Sequence, residues 1–232
     1  PETAKRVRQR IGTVLKWAIA KGWRQDNPTD AISQALPKQT KAVKHRKSLP
    51  YCEVANCLDA VRTSGANVAT KLALELLVLT ACRSGEVRLA VWSEINLIKA
   101  EWTIPAQRMK AGKEHRVPLS LRAMEILENA KILGNGSDLV FPSITTGKAL
   151  SDMTLSKLVK ELGFDADVHG FRTSFKMWCQ ERTDTSREVS EAALAHTVRN
   201  KAEAAYARSD LFEKRQVLMQ IWAHFLNINS DK

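Results

Sequence analysis

The chain predicts a mainly α-helical protein with a small three-stranded antiparallel β-sheet, an α+β arrangement. Apolar residues recur at helical spacing over most of its 232 residues. Between Ile95 and Leu119 that spacing gives way to three short β-like runs separated by turns. Hydrophobic residues make up 44% of the chain, enough for a substantial core and too many for wholesale disorder.

Residues 3–21 read as a helix, with Val7, Ile11, Val14, Leu15, Ala18 and Ile19 at helical spacing and Lys5, Arg6, Arg8, Arg10 and Lys16 opposite. Gly22 stands where a C-terminal cap belongs. Asp26-Asn27-Pro28 breaks the chain before a short helix ending near Leu36. Residues 1–36 open abruptly inside a helical pattern. They read as the C-terminal part of a helical domain that continues upstream, or else as a native start after loss of the initiator methionine.

Residues 37–48 (PKQTKAVKHRKS) are polar and strongly basic and read as a linker. A solvated tether is the plain reading. A basic strap along phosphates, using Lys44, Arg46 and Lys47, is the reading favoured here.

A larger domain runs from residue 49 to 232. Helices are expected over 51–63 and 67–81, the second apolar nearly all round and therefore central. Ser84 is expected to cap the next helix, which carries Val87, Leu89, Ala90 and Val91. The β-like runs are Ile95–Leu97, Glu101–Ile104 and His115–Leu119, the last two joined by a basic connection with Gly112 near its tip. Further helices are expected over 121–132, 154–162, 170–181, 186–195, 200–207 and 211–227. Leu139–Pro142 reads as a brief extended piece.

Lysine and arginine outnumber aspartate and glutamate by 36 to 25, a net charge of +11 that favours a polyanionic partner. No apolar run approaches the ~20 residues needed to span a bilayer, and the strongest, Leu72–Ala81, contains Glu75. The first residues lack a signal-peptide core, so the cytosol is the default. Cys52, Cys57, Cys82 and Cys179 are scattered without a Cys-x-x-Cys pair, which speaks against a zinc site. No metal or other cofactor is expected.

The polar residues that remain suit chemistry on a phosphodiester. Guanidinium forks match non-bridging oxygens, lysine on a loop protonates a leaving oxygen, and imidazoles donate or accept near neutrality. Tyrosine is a candidate nucleophile, about one-thousandth ionised at neutral pH. The chain has only Tyr51 and Tyr206. Arg83 with Glu86 three residues on, Lys110, His169 with Arg172, His196 and Tyr206 supply this kit. Alone, each pair is commonplace: a surface ion pair, a structural histidine, a packed tyrosine.

As a set, in order and spacing, they resemble the catalytic domain of the tyrosine recombinases, the phage-integrase family. The Arg83 box, the run Lys110–Leu119, His169-Gly170-Phe171-Arg172, Leu194-Ala195-His196 and Ala205-Tyr206-Ala207 each match a family motif over roughly residues 49–226. Ala81 and Ala195 stand where the family commonly has glycine. Lys113 is a near neighbour of Lys110 with similar reach.

The resemblance implies the tyrosine-recombinase catalytic fold and a site-specific integrase working through a 3′-phosphotyrosyl intermediate, for integration or excision of a mobile element. Arg83, Lys110, His169, Arg172, His196 and the nucleophile Tyr206 would be catalytic, with Glu86 in support. The linker cations and Arg108, Lys113 and Arg116 would contact DNA. It also implies a core-binding domain ending in residues 1–36 and double-stranded attachment-site DNA as partner. A homotetramer on DNA, DNA-bending accessory proteins and a bacterial, nucleoid-associated cytoplasmic location complete the expectation; helix 211–227 either packs on its own domain or docks on a neighbouring protomer of that tetramer. Two alternatives use the same features: a type IB topoisomerase-like enzyme, and a basic DNA-binding protein without catalysis.

Overall fold

Helix α4 (Val68–Thr80) is apolar on every side because every side is covered, and all but two of its residues are buried. The Asn67 side chain caps it, accepting from the Ala69 amide at 2.9 Å. Its one buried carboxylate, Glu75, is held by Arg62 at 2.7 Å and Arg122 at 2.8 Å, so this charge is not left unpaired in the core. The structure, a computed structural model, describes residues 2–35, 47–133, 136–196 and 209–228. It divides into two compact units, Pro1–His45 and Arg46–Lys232.

The first unit holds α1 (Glu2–Ala20) and α2 (Pro28–Ala35). Gly22, at φ 74°, closes α1, and the Trp23 amide reaches back to the Ala18 carbonyl at 3.0 Å. The apolar stripe of α1 is largely exposed at Val7, Ile11 and Val14. Within this unit α1 packs on α2 alone, which is too short to cover the stripe.

The second unit packs helices around α4: α3 (Val54–Thr63), α5 (Ser84–Arg88), α6 (Leu121–Leu133), α7 (Thr154–Glu161), α8 (Gly170–Arg182), α9 (Arg187–Ala193) and α10 (Phe212–Ile228). Tyr51–Glu53 forms a 3₁₀ turn before α3. The expected cap at Ser84 is displaced by one residue. Arg83 is the N-cap, in extended conformation, and Ser84 is the first helical residue. The cause is Glu86, whose carboxylate takes the Arg83 amide at 2.6 Å and so fixes the boundary.

The sheet, in order β1-β2-β3, is antiparallel and made of β1 (Ile95–Asn96), β2 (Glu101–Ile104) and β3 (His115–Pro118). Its register pairs Trp102 with Val117 and Ile104 with His115, which places these four on the buried face. Residues 139–142 make isolated bridges, Val91 to Leu139 and Pro142 to Ala149. The expected helix over 200–207 lies outside the described residues.

Helix α10 closes the core. Leu218, Met219, Trp222, Ala223 and Leu226 are buried, and the Trp222 indole donates to the Val78 carbonyl at 3.0 Å. Most of its apolar stripe therefore packs on its own unit. Val217 and Ile221 face outward. Among the described residues no helix is long and apolar enough to cross a membrane.

Candidate active site

The end of a helix leaves carbonyls without partners, and a cation is the natural complement to them. Two such ends meet at Arg172, on the first turn of α8. Ala81, just past α4, turns left-handed at φ 50°, and Ala195, just past α9, does so at φ 47°. The Arg172 guanidinium donates to the Ala81 carbonyl and, at 2.6 Å, to the Leu194 carbonyl. The side chain is buried and charged at once. Both alanines occupy a conformation that glycine adopts more cheaply.

Arg83 lies next to this group. Its Nη1 donates to Glu86 Oε1 at 2.7 Å, so one buried carboxylate fixes both the backbone and the guanidinium of Arg83. Burial, and then the nearby Arg83 charge, push Arg172 down to about 10, still protonated near neutrality. Two guanidiniums thus share a small region with one carboxylate, and that excess of positive charge favours an anion.

His196 completes the cluster. Its Nε2 lies 3.4 Å from Arg172 Nη2, and its Nδ1 lies 2.5 Å from Glu191 Oε2. Arg83, Glu86, Arg172 and His196 are therefore brought together from three separate parts of the chain. His169 is the N-cap of α8, exposed at the surface three residues before Arg172. Lys110 and Lys113 sit in the exposed connection between β2 and β3. Among the described residues Lys110 makes no hydrogen bond or ion pair. Tyr206, Lys44 and Arg46 lie outside the described residues.

The remaining cations expected at DNA are engaged with the protein itself. Arg108 pairs with Glu94 and with the Glu86 carbonyl, which ties the hairpin to the helix that carries Glu86. Arg116 holds Asp210 at 2.9 Å, touches Glu101 at 3.3 Å and lies over the Phe212 ring. Lys47 pairs with Asp165 at 2.6 Å while staying well exposed.

That last contact belongs to a strap across the start of α8. The Lys47 carbonyl accepts from the Asp167 amide at 3.0 Å, and the Leu49 carbonyl accepts from Ser174 Oγ at 2.5 Å. Gly170 is required beneath it, since a Cβ there would lie 2.2 Å from the Lys47 carbonyl oxygen.

Three participants escaped the sequence reading. Glu191 stands five residues before His196, a spacing that has meaning only once the end of α9 is known. Arg215 is buried on α10 and donates to Asp210 Oδ2 at 2.9 Å and to the Arg116 carbonyl at 2.5 Å. His115 shares the inward face of β3 with Val117, which the alternation of that strand already signals. Burial, followed by the Arg215 charge, drives His115 down to about 4, with Arg172 and Arg83 acting in the same direction. Among the described residues no three histidine, cysteine or acidic side chains gather into a metal-binding group.

The phage integrase family pattern matches residues 47–211, and the phage integrase central domain matches residues 1–35. The integrase of Enterobacteria phage P4 is 31% identical over 249 residues, which cover 100% of this chain and 56% of that protein. Prophage integrase IntA of Escherichia coli (strain K12) is 34% identical over 225 residues, 96% of this chain and 54% of the relative. The chain thus spans about half the length of the curated relatives it matches. A lambda integrase tetramer bound to a Holliday junction superposes with a TM-score of 0.62 at 22% identity, over 86% of this chain and 60% of that one. That likeness establishes the fold.

Proposed function

The chain belongs to the phage integrase family of tyrosine recombinases, and on that premise we propose that it is the catalytic part of a site-specific DNA recombinase. It would cut and rejoin duplex attachment sites during integration or excision of a mobile element. The observation that carries the proposal is the joining of Arg83, Arg172 and His196 into one cationic cluster. Such a cluster suits a phosphodiester, whose non-bridging oxygens gather charge as the phosphorus becomes five-coordinate.

In this reading the Tyr206 oxygen attacks the scissile phosphorus. A 3′-phosphotyrosyl bond forms, the bond to the 5′ oxygen breaks, and a 5′-hydroxyl leaves. Arg83 and Arg172 hold the non-bridging oxygens, and His196 donates to one of them. Lys110, on its exposed connection, protonates the leaving oxygen, and His169 takes up the tyrosine proton. The phosphotyrosyl bond keeps the energy of the bond it replaces, so rejoining reverses the same step. Glu86 keeps Arg83 in place and takes no part in proton transfer.

Residues 1–36 would contribute to DNA binding as the end of a core-binding domain, with residues 37–48 as the basic linker. DNA contacts would fall to Lys44, Arg46, Lys47 and Lys113, with a lesser share for the internally paired Arg108 and Arg116. A tetramer on DNA, aided by DNA-bending proteins in the bacterial cytoplasm, fits this chemistry. Any contact between protomers through α10 falls to its outward residues Val217 and Ile221, since the inner face is occupied.

The test uses a pool of nicked duplexes with randomised core sequence. After cutting, the short strand beyond the nick diffuses away and the covalent adduct persists through denaturation. The chain is expected to form that adduct without ATP, and Arg172→Ala is expected to slow it ~10²–10³-fold. Absence of any adduct across the pool would leave DNA binding without catalysis as the better account. Adduct formation with supercoil relaxation but no exchange between two sites would favour the topoisomerase-like alternative.

A further inference from the structure

A histidine that donates through one ring nitrogen needs its other nitrogen committed, or the ring turns and the tautomer changes. The end of α9 supplies that commitment. The His196 amide donates to the Glu191 carbonyl at 3.0 Å and the Ala195 amide to the Ala192 carbonyl at 3.0 Å. This is the Schellman closure, in which the chain folds back over the last turn. It brings the residue two past the cap against the residue five before it. Here those residues are His196 and Glu191, and an apolar pair is replaced by a carboxylate 2.5 Å from Nδ1.

Glu191 is itself held. Its Oε1 receives Lys176 Nζ at 2.8 Å, and the same ammonium donates to Ser190 Oγ at 2.7 Å. Ser190 Oγ in turn donates to the Arg187 carbonyl at 2.9 Å. Partial burial works toward protonating Glu191, but the bonds from Lys176 and His196 outweigh it and hold the carboxyl below the usual range. An ionised acceptor therefore faces Nδ1 near neutrality. Nε2 is left toward Arg172 Nη2, 3.4 Å away.

We propose that Glu191 is a positioning residue for His196: through the α9 closure it keeps a proton on Nδ1 and directs Nε2 to the anion site, where Nε2 donates when the ring carries both protons, with Lys176, itself bound to Ser190, holding Glu191. The proposal rests on the recombinase reading for its catalytic consequence, though not for the pairing itself. The carboxylate also balances the charge that the ring carries when Nε2 donates to a phosphate oxygen. Neither Glu191 nor Lys176 touches the reacting atoms. Both act through the imidazole.

The experiment has two arms, both on the full chain. In the first, the adduct-forming duplex recovered from the randomised pool is used to time cleavage by wild type, Glu191→Ala, Glu191→Gln, His196→Ala and the Glu191→Ala/His196→Ala double variant. Glu191→Ala is expected to slow cleavage about 10–100-fold with unchanged DNA affinity. Glu191→Gln keeps an oxygen that accepts from Nδ1 and should recover part of the rate. The double variant should be no slower than His196→Ala alone, because the two residues act as one unit. Additive losses, or a wild-type rate in Glu191→Ala, would overturn the proposal.

In the second arm, nitrogen-15 spectra of labelled histidine read the ring directly. Wild type should show His196 protonated at Nδ1, and Glu191→Ala should lose that signature. An unchanged signature overturns the proposal as well. If wild type forms no adduct on any duplex, the recombinase reading fails while the spectra still decide the pairing.

Discussion

Arg172 remains charged in a buried setting because two helix ends turn their carbonyls on it. Arg83 is steadied by a carboxylate that also sets the start of its own helix. Residue chemistry of this kind is partly legible in a sequence. Arg83, Glu86, Arg172 and His196 stand out by type and spacing, and they do converge. Arg108 is the counter-example. It is a cation in a basic connection, and only the fold reveals Glu94 and the Glu86 carbonyl beside it. Arg108→Ala should cost about 3 kcal/mol of stability, measured by denaturant unfolding, because a nearly buried Glu94 loses its cationic partner and keeps only the Trp102 indole N–H. Lys113→Ala should leave stability unchanged and lower the slope of log affinity against log salt by about 1. A larger loss of DNA affinity than of stability in Arg108→Ala would restore it as a DNA contact.

His115 gives a pH prediction at the same scale. Its folded value of about 4 lies below the ordinary 6.5. Between these limits the unfolded chain binds more protons than the folded one, so stability rises with pH through the window. His115 therefore costs nothing above about pH 6.5 and at most ~3 kcal/mol once the pH has fallen below 4. Replacing it with asparagine should flatten the unfolding free energy between pH 4 and 6.5. A slope unchanged by the substitution would mean that the imidazole is protonated in place.

At the scale of elements, the periodicities that define α4, α6, α8 and the register-forming strands are visible in the sequence, and β2 falls on its expected residues. Closures are less visible. The one-residue shift at Ser84 follows from a single carboxylate, and the link between Glu191 and His196 follows from a left-handed alanine. Ala195→Gly should relieve that conformation and raise stability by up to ~1 kcal/mol. Gly170→Ala should do the opposite. Its methyl meets the Lys47 backbone, so either the strap or the first turn of α8 has to move. We expect Gly170→Ala to lower both the unfolding midpoint and any cleavage rate, since that turn carries Arg172. A variant as stable as wild type would mean that the strap is easily displaced. Trp222→Ala should cost about 3–5 kcal/mol by opening the core under α10.

At the scale of the whole molecule, the sequence makes the family and the α+β class clear, because ordered motifs survive where each part alone says little. The apolar stripe of α10 suits its own core or a neighbour, and Trp222 and Leu226 are buried in its own core while Val217 and Ile221 stay exposed. An apolar stripe looks the same whichever surface covers it. The exposed stripe of α1 makes the converse point, since periodicity announces a face that seeks cover without naming the cover. The central claim, that a cationic cluster built from three parts of the chain serves attack by Tyr206, meets its most direct test in the covalent adduct itself. Mass spectrometry of protease-digested adduct should find the nucleotide on the peptide containing Tyr206, linked through a 3′ phosphate, and Tyr206→Phe should bind DNA but yield no adduct. An adduct mapped to Tyr51, or one that persists in Tyr206→Phe, would contradict the account.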